Sequence, residues 1–385
     1  MNILHSTTFL QGGAGRVVYD LAVAQQGAGH AVTVVCAKTP EPGYWSYPEY
    51  VDGLRERGID VYEVDSTFKR DVYLICLAVD VARKVMVAHS VDLVHAHAAI
   101  PALVGLIARG GSARYVPVVQ TMHGWGINKT PEQEKTDVII MNGLDEVVAV
   151  SETARGLLEG KGVDSRRIRV VYNGLGEEPK DAETDDDVVA AELREARRAG
   201  RKVVGCIGTV GRRKNQALLL EAVGRMVPEA DLFVAFVGEG EAIPRLQARA
   251  VELGLGDCVR FYGYRAAASR YFRYFDCLVL PSLSEGLPVA VIEAFRERVP
   301  VVASNIPELA EVVVEGKTGF LFDPGDLVSL VRCLRRVLFT AWRQNIHVVA
   351  GAYRIYRSRF SLEAMVSGYE SCYRELLAQR GSAHC

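Results

Sequence analysis

Short apolar runs alternate with longer amphipathic stretches over most of the chain, and this pattern predicts its elements. An apolar run of four to seven residues bounded by glycine or polar residues indicates a buried strand, and apolar residues every three or four positions indicate a helix. Strands are predicted at 3–6, 31–37, 61–64, 93–95, 116–122, 146–150, 168–172, 202–207, 232–237, 259–262, 277–280, 300–303 and 319–322. Helices are predicted near 17–26, 70–89, 99–109, 151–160, 216–226 and 288–298, and from 326 to the end. This alternation predicts doubly wound parallel sheets of the α/β class.

The chain of 385 residues is longer than one hydrophobic core usually serves, so two domains are expected. Composition changes at Glu177–Gly200, where charged residues are crowded and large apolar residues are few. We expect a first domain at 1–173, a charged linker at 174–200 with an exposed helix at 185–199, and a second domain at 201–357. A parallel sheet is expected in each domain.

Composition narrows the class of protein. A hydrophobic content of 49%, a charged content of 24% and a net charge of −2 are typical of an ordinary soluble α/β protein, without the basic excess of a nucleic-acid binder. The eight cysteines are scattered singly, which fits a reducing cytosol better than disulfides or zinc. The N-terminus enters strand residues directly and no run of 18 apolar residues occurs, so we expect a cytoplasmic protein that does not span a membrane.

The most informative stretch is Pro281–Ser304, which follows the apolar run Cys277–Leu280. A strand, a tight loop around Gly286, a helix that starts at Pro288 and a second strand form a parallel crossover unit. In open α/β sheets ligands bind at the carboxyl ends of strands. The loop and helix start, Gly286, Leu287, Pro288 and Val289, are therefore expected to offer backbone N–H groups to a phosphate.

Two glutamates flank this helix start, and each has two interpretations. Glu285 lies in the loop and Glu293 lies inside the helix, eight residues later. A carboxylate accepts hydrogen bonds at two oxygens and suits a pair of sugar hydroxyls. Glu293 is expected to hold a ribose diol and Glu285 a second sugar beyond the phosphates. In the alternative, Glu285 is a loop charge and Glu293 lies on the solvated face.

The pair of glutamates resembles the E-x7-E signature of the retaining glycosyltransferases of family 4, which have the GT-B fold of two Rossmann-like domains that face each other across a cleft. The resemblance covers nearly the whole chain. It implies that the terminal helix, about 358–385, returns to the first domain, with a hinge near 355–360. It also implies a nucleoside-diphosphate sugar as co-substrate, with a UDP-sugar favoured over a GDP-sugar, and no other cofactor.

In the first domain, the glycine-rich stretch after strand one and His123 match parts of this family. Gly12 and Gly13 lie in a segment expected to be a flexible turn, and the resemblance places it at the floor of the cleft. His123 matches the T-x-H-G segment, where the imidazole faces the donor sugar and could donate a hydrogen bond to a hydroxyl or a phosphate oxygen. His97 is expected to be a satisfied structural side chain. His95 is expected to point to the other side of its strand, into the core.

In the second domain, cations follow the first strand. Arg212, Arg213 and Lys214 suit a diphosphate leaving group, and the alternative is a basic surface loop. Lys214 matches the family's lysine, but Thr209 occupies the position of its arginine, so that either Arg212 or Arg213 could substitute. Weaker family matches are the turn with Glu239 and the segment Gly263, Tyr264 and Arg265, which lines the nucleotide base in relatives.

Three other motifs fail on inspection. No G-x-G-x-x-G dinucleotide fingerprint occurs, and Gly316-Lys317-Thr318 lacks the glycine that a P-loop requires five residues earlier. Asp185-Asp186-Asp187 contains an Asp-x-Asp in a charge run that follows no buried strand, so no metal is assigned to it.

Together with the family resemblance, these observations predict a metal-independent retaining hexosyltransferase with His123, Glu285 and Lys214 at its centre. The acceptor is expected to be a saccharide or a lipid-linked saccharide of cell-surface polysaccharide or glycoconjugate biosynthesis. Phe68–Met86 carries four cations and could rest on anionic lipid at the inner face of the membrane, or form an ordinary core-facing helix. The alternatives are a nucleotide-sugar epimerase or phosphorylase of the same architecture and a non-catalytic sugar-nucleotide binding protein. Oligomeric state stays open.

Overall fold

The computed structural model describes residues 1–65, 69–111, 114–126, 129–177, 187–265, 268–339 and 342–381. The chain divides into two compact units. Unit 1 consists of Met1–Gly176 and Phe360–Cys385, and unit 2 consists of Glu177–Arg359. Residues 187–200, which the sequence placed in a linker, therefore belong to unit 2, and the return to unit 1 begins at Phe360.

Unit 1 contains one parallel sheet with helices on both faces. Its strands are β1 (Asn2–Ser6), β2 (Ala31–Ala37), β3 (Asp60–Val64), β4 (Leu93–Ala96), β5 (Val118–Met122), β6 (Glu146–Ala149) and β7 (Ile168–Val170), in the order β3-β2-β1-β4-β5-β6-β7. Its helices are α1 (Gly12–Gly27), α2 (Pro48–Glu56), α3 (Val72–Ala88), α4 (Ala99–Arg109), α5 (Pro131–Asn142) and α6 (Glu152–Lys161). The C-terminal helix α14 (Leu362–Gly381) packs beside α1.

Alternation along the strands of unit 1 assigns side chains to its two faces. Leu4, Val94 and Val118 face α3 and α4, whereas Ile3, Leu93 and Val119 face α1 and α14. Since side chains alternate with a period of two, the odd positions of β1, β4 and β5 all point towards α14.

Unit 2 has a second parallel sheet of the same kind. Its strands are β8 (Lys202–Ile207), β9 (Leu232–Val237), β10 (Val259–Phe261), β11 (Cys277–Leu280), β12 (Val301–Ser304) and β13 (Phe320–Phe322), in the order β10-β9-β8-β11-β12-β13. Its helices are α7 (Val188–Arg198), α8 (Gln216–Met226), α9 (Ile243–Glu252), α10 (Val289–Arg296), α11 (Pro307–Ala310), α12 (Leu327–Phe339) and α13 (Trp342–Ile355). A π-helical turn at Tyr356–Phe360 follows α13.

The strand order reverses beside the first strand of each unit, between β1 and β4 and between β8 and β11. The loops that leave these strands in opposite directions open a crevice at the carboxyl edge of the sheet, which is where doubly wound proteins bind ligands. In unit 2, Lys214 follows β8 and Glu285 follows β11, the two strands beside the reversal, whereas in unit 1 His123 follows β5.

Two helices differ from the predictions. Helix α1 begins at Gly12, five residues earlier than predicted, so Gly12 and Gly13 form its first turn rather than a flexible turn. Glycines resemble a loop in the sequence, but Gly15 is required because a Cβ there would lie 2.5 Å from the carbonyl carbon of Leu10. Helix α7 is not simply exposed, since Val189 and Leu193 are buried on one face.

Four helices of the described chain, α2, α5, α9 and α11, were not predicted. The sequence of α5 is largely polar and lacks an apolar period, so that hydrophobic patterning cannot detect it. Its start is encoded instead by a capping box, in which Thr130 and Gln133 bond each other's backbone. Among the described residues, no helix combines the length and the apolar character needed to cross a bilayer.

Candidate functional site

The loops after β8 and β11 meet through a charged cluster. The Lys214 ammonium donates to both carboxylate oxygens of Glu285, at 2.7 and 2.8 Å. Arg213 donates to the Ser284 carbonyl at 2.9 Å and reaches Oε2 of Glu285 at 3.4 Å. The backbone N–H of Leu283 donates to the Arg213 carbonyl at 2.8 Å. The structure thus brings together Lys214, Arg213 and Glu285, three of the residues that the sequence selected.

The Glu285 carboxylate is buried and satisfied. Its side chain is 4% exposed, against 17% for Lys214 and 42% for Arg213. The Ser282 hydroxyl donates to Oε1 at 2.6 Å, so each carboxylate oxygen accepts two hydrogen bonds. A carboxylate has about four lone-pair sites, and all of them are occupied in this arrangement.

Close backbone packing of two loops supports the cluster. The Val210 N–H donates to the Glu239 carbonyl at 2.8 Å, and a Cβ on Gly240 would lie 1.9 Å from the Val210 carbonyl oxygen. A Cβ on Gly238 would lie 2.1 Å from the Gly208 oxygen. Glycine is therefore required at both positions, and the contact of the two loops fixes the segment that leads to Lys214.

The other site residues predicted in unit 2 differ in their exposure to solvent. Arg212, Glu239 and Arg265 are exposed, Tyr264 is 39% exposed, and Gly263 has φ +68°. Gly286 is exposed and Leu287 is buried. Pro288 is the N-cap of α10, which starts at Val289 and ends at Arg296 rather than near Arg298. Glu293 lies half-buried within α10, and its role as a ribose ligand stays a prediction.

Unit 1 contains a cluster of buried histidines at the same edge of its sheet. His5 on β1 and His95 on β4 are register partners, and His97 follows β4 by one residue. His123 follows β5 in the same way. These odd positions point to one face, so four rings meet below α14. His95 and His97 lie on the same face with ring centroids 4.2 Å apart, and the prediction that they point to opposite sides was wrong.

Hydrogen bonds join these rings into a continuous path. Nε2 of His123 pairs with Nδ1 of His97 at 3.0 Å, and Nε2 of His97 pairs with Nδ1 of His5 at 3.0 Å. Nε2 of His5 pairs with Oε1 of Gln25 on α1 at 2.7 Å. We call His5, His97 and His123 the histidine chain. Its free end is Nδ1 of His123, which is buried and has no hydrogen-bond partner among the described residues.

A second branch extends from Gln25 to the C-terminal helix. Nε2 of Gln25 donates to the Tyr373 hydroxyl at 3.4 Å, and this hydroxyl lies 2.6 Å from Nδ1 of His95. Nε2 of His95 lies 2.7 Å from Oγ1 of Thr121, which is 2.9 Å from the Tyr369 hydroxyl. Both tyrosines are fully buried.

Burial keeps the four rings neutral at physiological pH. It lowers the pKa of His5 to about 4, against an opposing effect of the Gln25 hydrogen bond, and it lowers the pKa of His123 to about 4. Burial and then the neighbouring histidines hold the pKa of His95 and of His97 well below the ordinary value. Neutral rings can each donate one hydrogen bond and accept one, as the path requires.

The same histidines form a candidate metal cluster by distance. One ring nitrogen from each of His5, His95 and His97 lies within 4.8 Å of the others. However, the nitrogens of all three rings already have hydrogen-bond partners, and a metal ion would have to displace several of them. The donor set fits a hydrogen-bond network better than a metal centre.

Sequence reasoning selected His123 but missed the groups that hold it. No sequence motif marks His5, Gln25, Tyr369 or Tyr373. They converge only because strands β1 and β4 pair and α14 returns to unit 1. The usable signal was positional, since histidine occupies an odd position near the end of β1, β4 and β5 alike.

Two family models match the chain. One described as Glycosyltransferase Family 4 matches residues 11–178, and one described as Glycosyl transferases group 1 matches residues 201–339. Together they cover every strand of the two sheets except β1.

Several similar proteins are named as glycosyltransferases. The chain is 28% identical over 314 residues to the D-inositol 3-phosphate glycosyltransferase of Corynebacterium jeikeium, covering 74% of this chain and 73% of that protein. It is 23% identical over 372 residues to the N-acetyl-alpha-D-glucosaminyl L-malate synthase of Bacillus anthracis, covering 95% and 94%. Among solved structures, Anabaena HepE in complex with UDP superposes with a TM-score of 0.80 at 21% identity, covering 97% of this chain and all of that one. A glycosyltransferase of Rickettsia africae gives a TM-score of 0.81 at 19% identity, covering 98% of each chain.

Proposed function

The chain belongs to glycosyltransferase family 4 and has the GT-B fold, and from this premise we propose that it moves a hexose from a UDP-sugar to a saccharide or lipid-linked acceptor with retention at the anomeric carbon. The cluster of Lys214, Arg213 and Glu285 beside the start of α10 carries the proposal. Structures of Anabaena HepE with UDP, with UDP and glucose and with UDP-glucose support a uridine donor.

The cluster suits a diphosphate that must leave with negative charge. Lys214 and Arg213 supply positive charge, and the N-terminus of α10 adds N–H groups that the helix itself does not use. These groups stabilise the charge that develops on the leaving group. Glu293 on α10 binds the ribose diol, and Tyr264 and Arg265 border the base.

Donor binding exchanges partners within the cluster. Because all four lone-pair sites of Glu285 are occupied, the carboxylate cannot accept a sugar hydroxyl until a cation moves. The diphosphate draws Lys214 and Arg213 towards itself, and the freed Glu285 oxygens then accept hydroxyls of the transferred hexose. The hydrogen-bond partners of Glu285 therefore depend on whether the diphosphate is bound.

The transfer itself proceeds on one face of the sugar. The bond from C1 to the diphosphate oxygen breaks, the acceptor oxygen bonds to C1 on the same face, and its proton passes to the leaving diphosphate. Cationic side chains take the part that a metal ion has in other transferases, so transfer requires no added metal.

A panel of nucleoside-diphosphate sugars tests this function. Release of free UDP in the presence of a saccharide acceptor, unchanged by excess chelator, is the expected result, and anomeric analysis of the product should show retention. Release of free UDP that chelator abolishes and manganese restores would refute the cationic cluster, and interconversion of donors without acceptor would indicate an epimerase.

We also propose that α3 contacts the inner face of the cell membrane, in a form that differs from the sequence prediction. Phe68, the first residue of the predicted stretch, lies outside the described residues. The four cations of the predicted stretch already have partners within the protein. Lys69 pairs with Glu41, Arg70 with Asp137, Arg83 with the Ile107 carbonyl and Lys84 with Asp80. The exposed apolar residues are instead Val72, Tyr73 and Leu77, which are 76%, 69% and 40% exposed.

The apolar side chains of α3, rather than its cations, therefore make the contact with the membrane. Replacing Tyr73 and Leu77 together by serine should reduce co-flotation with lipid vesicles, and Lys84→Gln should not. Flotation that depends on anionic lipid and on Lys84 would contradict the revised form.

A further inference from the structure

The histidine chain has a direction that its hydrogen-bond partners determine. A neutral imidazole carries one proton, so each ring that accepts at one nitrogen must donate from the other. If His5 donates from Nε2 to Gln25, its Nδ1 accepts from Nε2 of His97, and Nδ1 of His97 accepts from Nε2 of His123. The amide of Gln25, three groups away, then decides which nitrogen of His123 carries the proton.

Distances in the second branch fix the orientation of that amide. The Tyr373 hydroxyl has one proton and lies 2.6 Å from Nδ1 of His95, a short separation that suits donation to the ring. A hydroxyl that donates to His95 can only accept from Gln25, so the NH2 group of the amide faces Tyr373, at 3.4 Å. The reverse assignment would require an O–H···O bond of 3.4 Å, which lies further beyond the usual O–H···O range than it lies beyond the usual N–H···O range.

The other end of the amide agrees with this assignment. Oε1 of Gln25 lies 2.7 Å from Nε2 of His5, a distance typical of N–H···O. Both contacts of Gln25 therefore indicate the same orientation, and the histidine chain transmits it to His123.

We propose that Gln25, through His5 and His97, holds His123 in the neutral tautomer protonated at Nε2, so that Nδ1 of His123 accepts a hydrogen bond from a substrate hydroxyl. The identity of that hydroxyl as one of the sugar's rests on the proposed function. Gln25, His5 and His97 are positioning residues. An acceptor at Nδ1 recognises a hydroxyl and gives no stabilisation to a phosphate oxygen, which separates two roles that the sequence left open for His123.

Nitrogen-15 spectroscopy of the full chain with labelled histidine tests the tautomer without any substrate. The signals of His123 are assigned by their loss in His123→Gln. At pH 7, Nδ1 of His123 should resonate as an unprotonated ring nitrogen and Nε2 as a protonated one. A proton on Nδ1, or a stoichiometric metal ion in the purified protein coordinated by the histidines, would overturn the proposal.

Three variants test the cause. Gln25→Met removes both amide contacts, and Tyr373→Phe removes the acceptor that orients the amide, so each should give a mixture of the two tautomers at His123. Tyr369→Phe is the matched control, because it removes a buried hydroxyl from the same helix and network, and among the described residues this hydroxyl hydrogen-bonds only to Thr121. It should keep the wild-type tautomer. If Gln25→Met and Tyr373→Phe keep the wild-type tautomer too, Gln25 does not set it.

Titration with UDP-sugar tests the ligand part separately. Binding should shift the Nδ1 signal of His123 while Nε2 stays protonated, and kcat/KM should fall about two- to five-fold in Gln25→Met, in proportion to the lost tautomer. A transferase that turns over without any change at Nδ1 would refute the hydroxyl contact alone. A protein with the expected tautomer and no transfer to any acceptor would refute the proposed function and leave the role of Gln25 intact.

Discussion

At the scale of single residues, the structure changes what Glu285 is expected to do. The sequence indicated a carboxylate ready for a sugar, but in the structure both of its oxygens are bound by Lys214, Arg213 and Ser282. A buried carboxylate with these partners is stable as it stands, so a sugar hydroxyl has to compete with charge-assisted hydrogen bonds. Competition of this kind makes the affinities for nucleotide and for sugar interdependent.

Substitution of each glutamate separates their roles. Glu285→Gln should lower turnover, while affinity for free UDP stays the same or rises, because Lys214 is released from its partner. Glu293→Ala should weaken free UDP by about ten- to a hundred-fold, since a hydrogen bond to a charged group contributes roughly 1.5–3 kcal/mol. Calorimetric titration with UDP, compared with turnover numbers, measures both effects. Equal loss of UDP affinity in the two variants would show that Glu285 binds the nucleotide directly.

At the scale of elements, the unit β11, α10 and β12 was predicted to within two residues at each end. An apolar run, a Pro288 at the helix start and a second apolar run are local signals, and nothing distant overrides them. The start of α1 was missed because Gly12 and Gly13 resemble a loop, whereas the close approach of Gly15 to the Leu10 backbone can be seen only in the folded chain. The histidine network was missed for the same reason, as strand pairing rather than strand sequence brings its rings together.

The contact between the loops after β8 and β9 yields an element-scale prediction. Gly240→Ala should lower the free energy of unfolding of unit 2 by roughly 2 kcal/mol or more, because its Cβ would overlap the Val210 carbonyl. It should also weaken donor binding, since the Val210 loop, against which Gly240 packs, leads to Lys214. Gly256→Ala is the matched control, because a Cβ there meets nothing within 4 Å, and its effect should stay within about 0.5 kcal/mol. Denaturant unfolding of the two variants measures the difference, and equal stabilities would mean that the loops can separate at little cost.

At the scale of the whole molecule, the two units have similar sheets but different titration chemistry. Unit 1 holds His5, His95 and His97 buried and His123 half-buried, all in neutral form, whereas the only histidine in the sequence of unit 2, His347, is exposed. A fall in pH should therefore destabilise unit 1 before it destabilises unit 2. Protonation of the histidine network should therefore affect both the candidate site of unit 1 and the stability of the fold around it, because the network connects to α1 and α14.

The sign of this effect follows from the pKa of His5, which falls from 6.5 to about 4 on folding. Above pH 6.5 both states are largely neutral and stability is fully present. As the pH falls below 6.5 the unfolded chain takes up a proton that folded His5 refuses until about pH 4, so stability is lost across that window. Between pH 7 and pH 5 the loss is about 2 kcal/mol for His5 alone, and the other three rings act in the same direction. Hydrogen exchange measured at matched intrinsic rates should show that β1, β4 and β5 lose protection at pH 5 while β8, β9 and β11 keep theirs. His5→Asn should reduce the difference between the units, and an equal loss of protection in the two sheets would mean that the buried rings do not control acid stability.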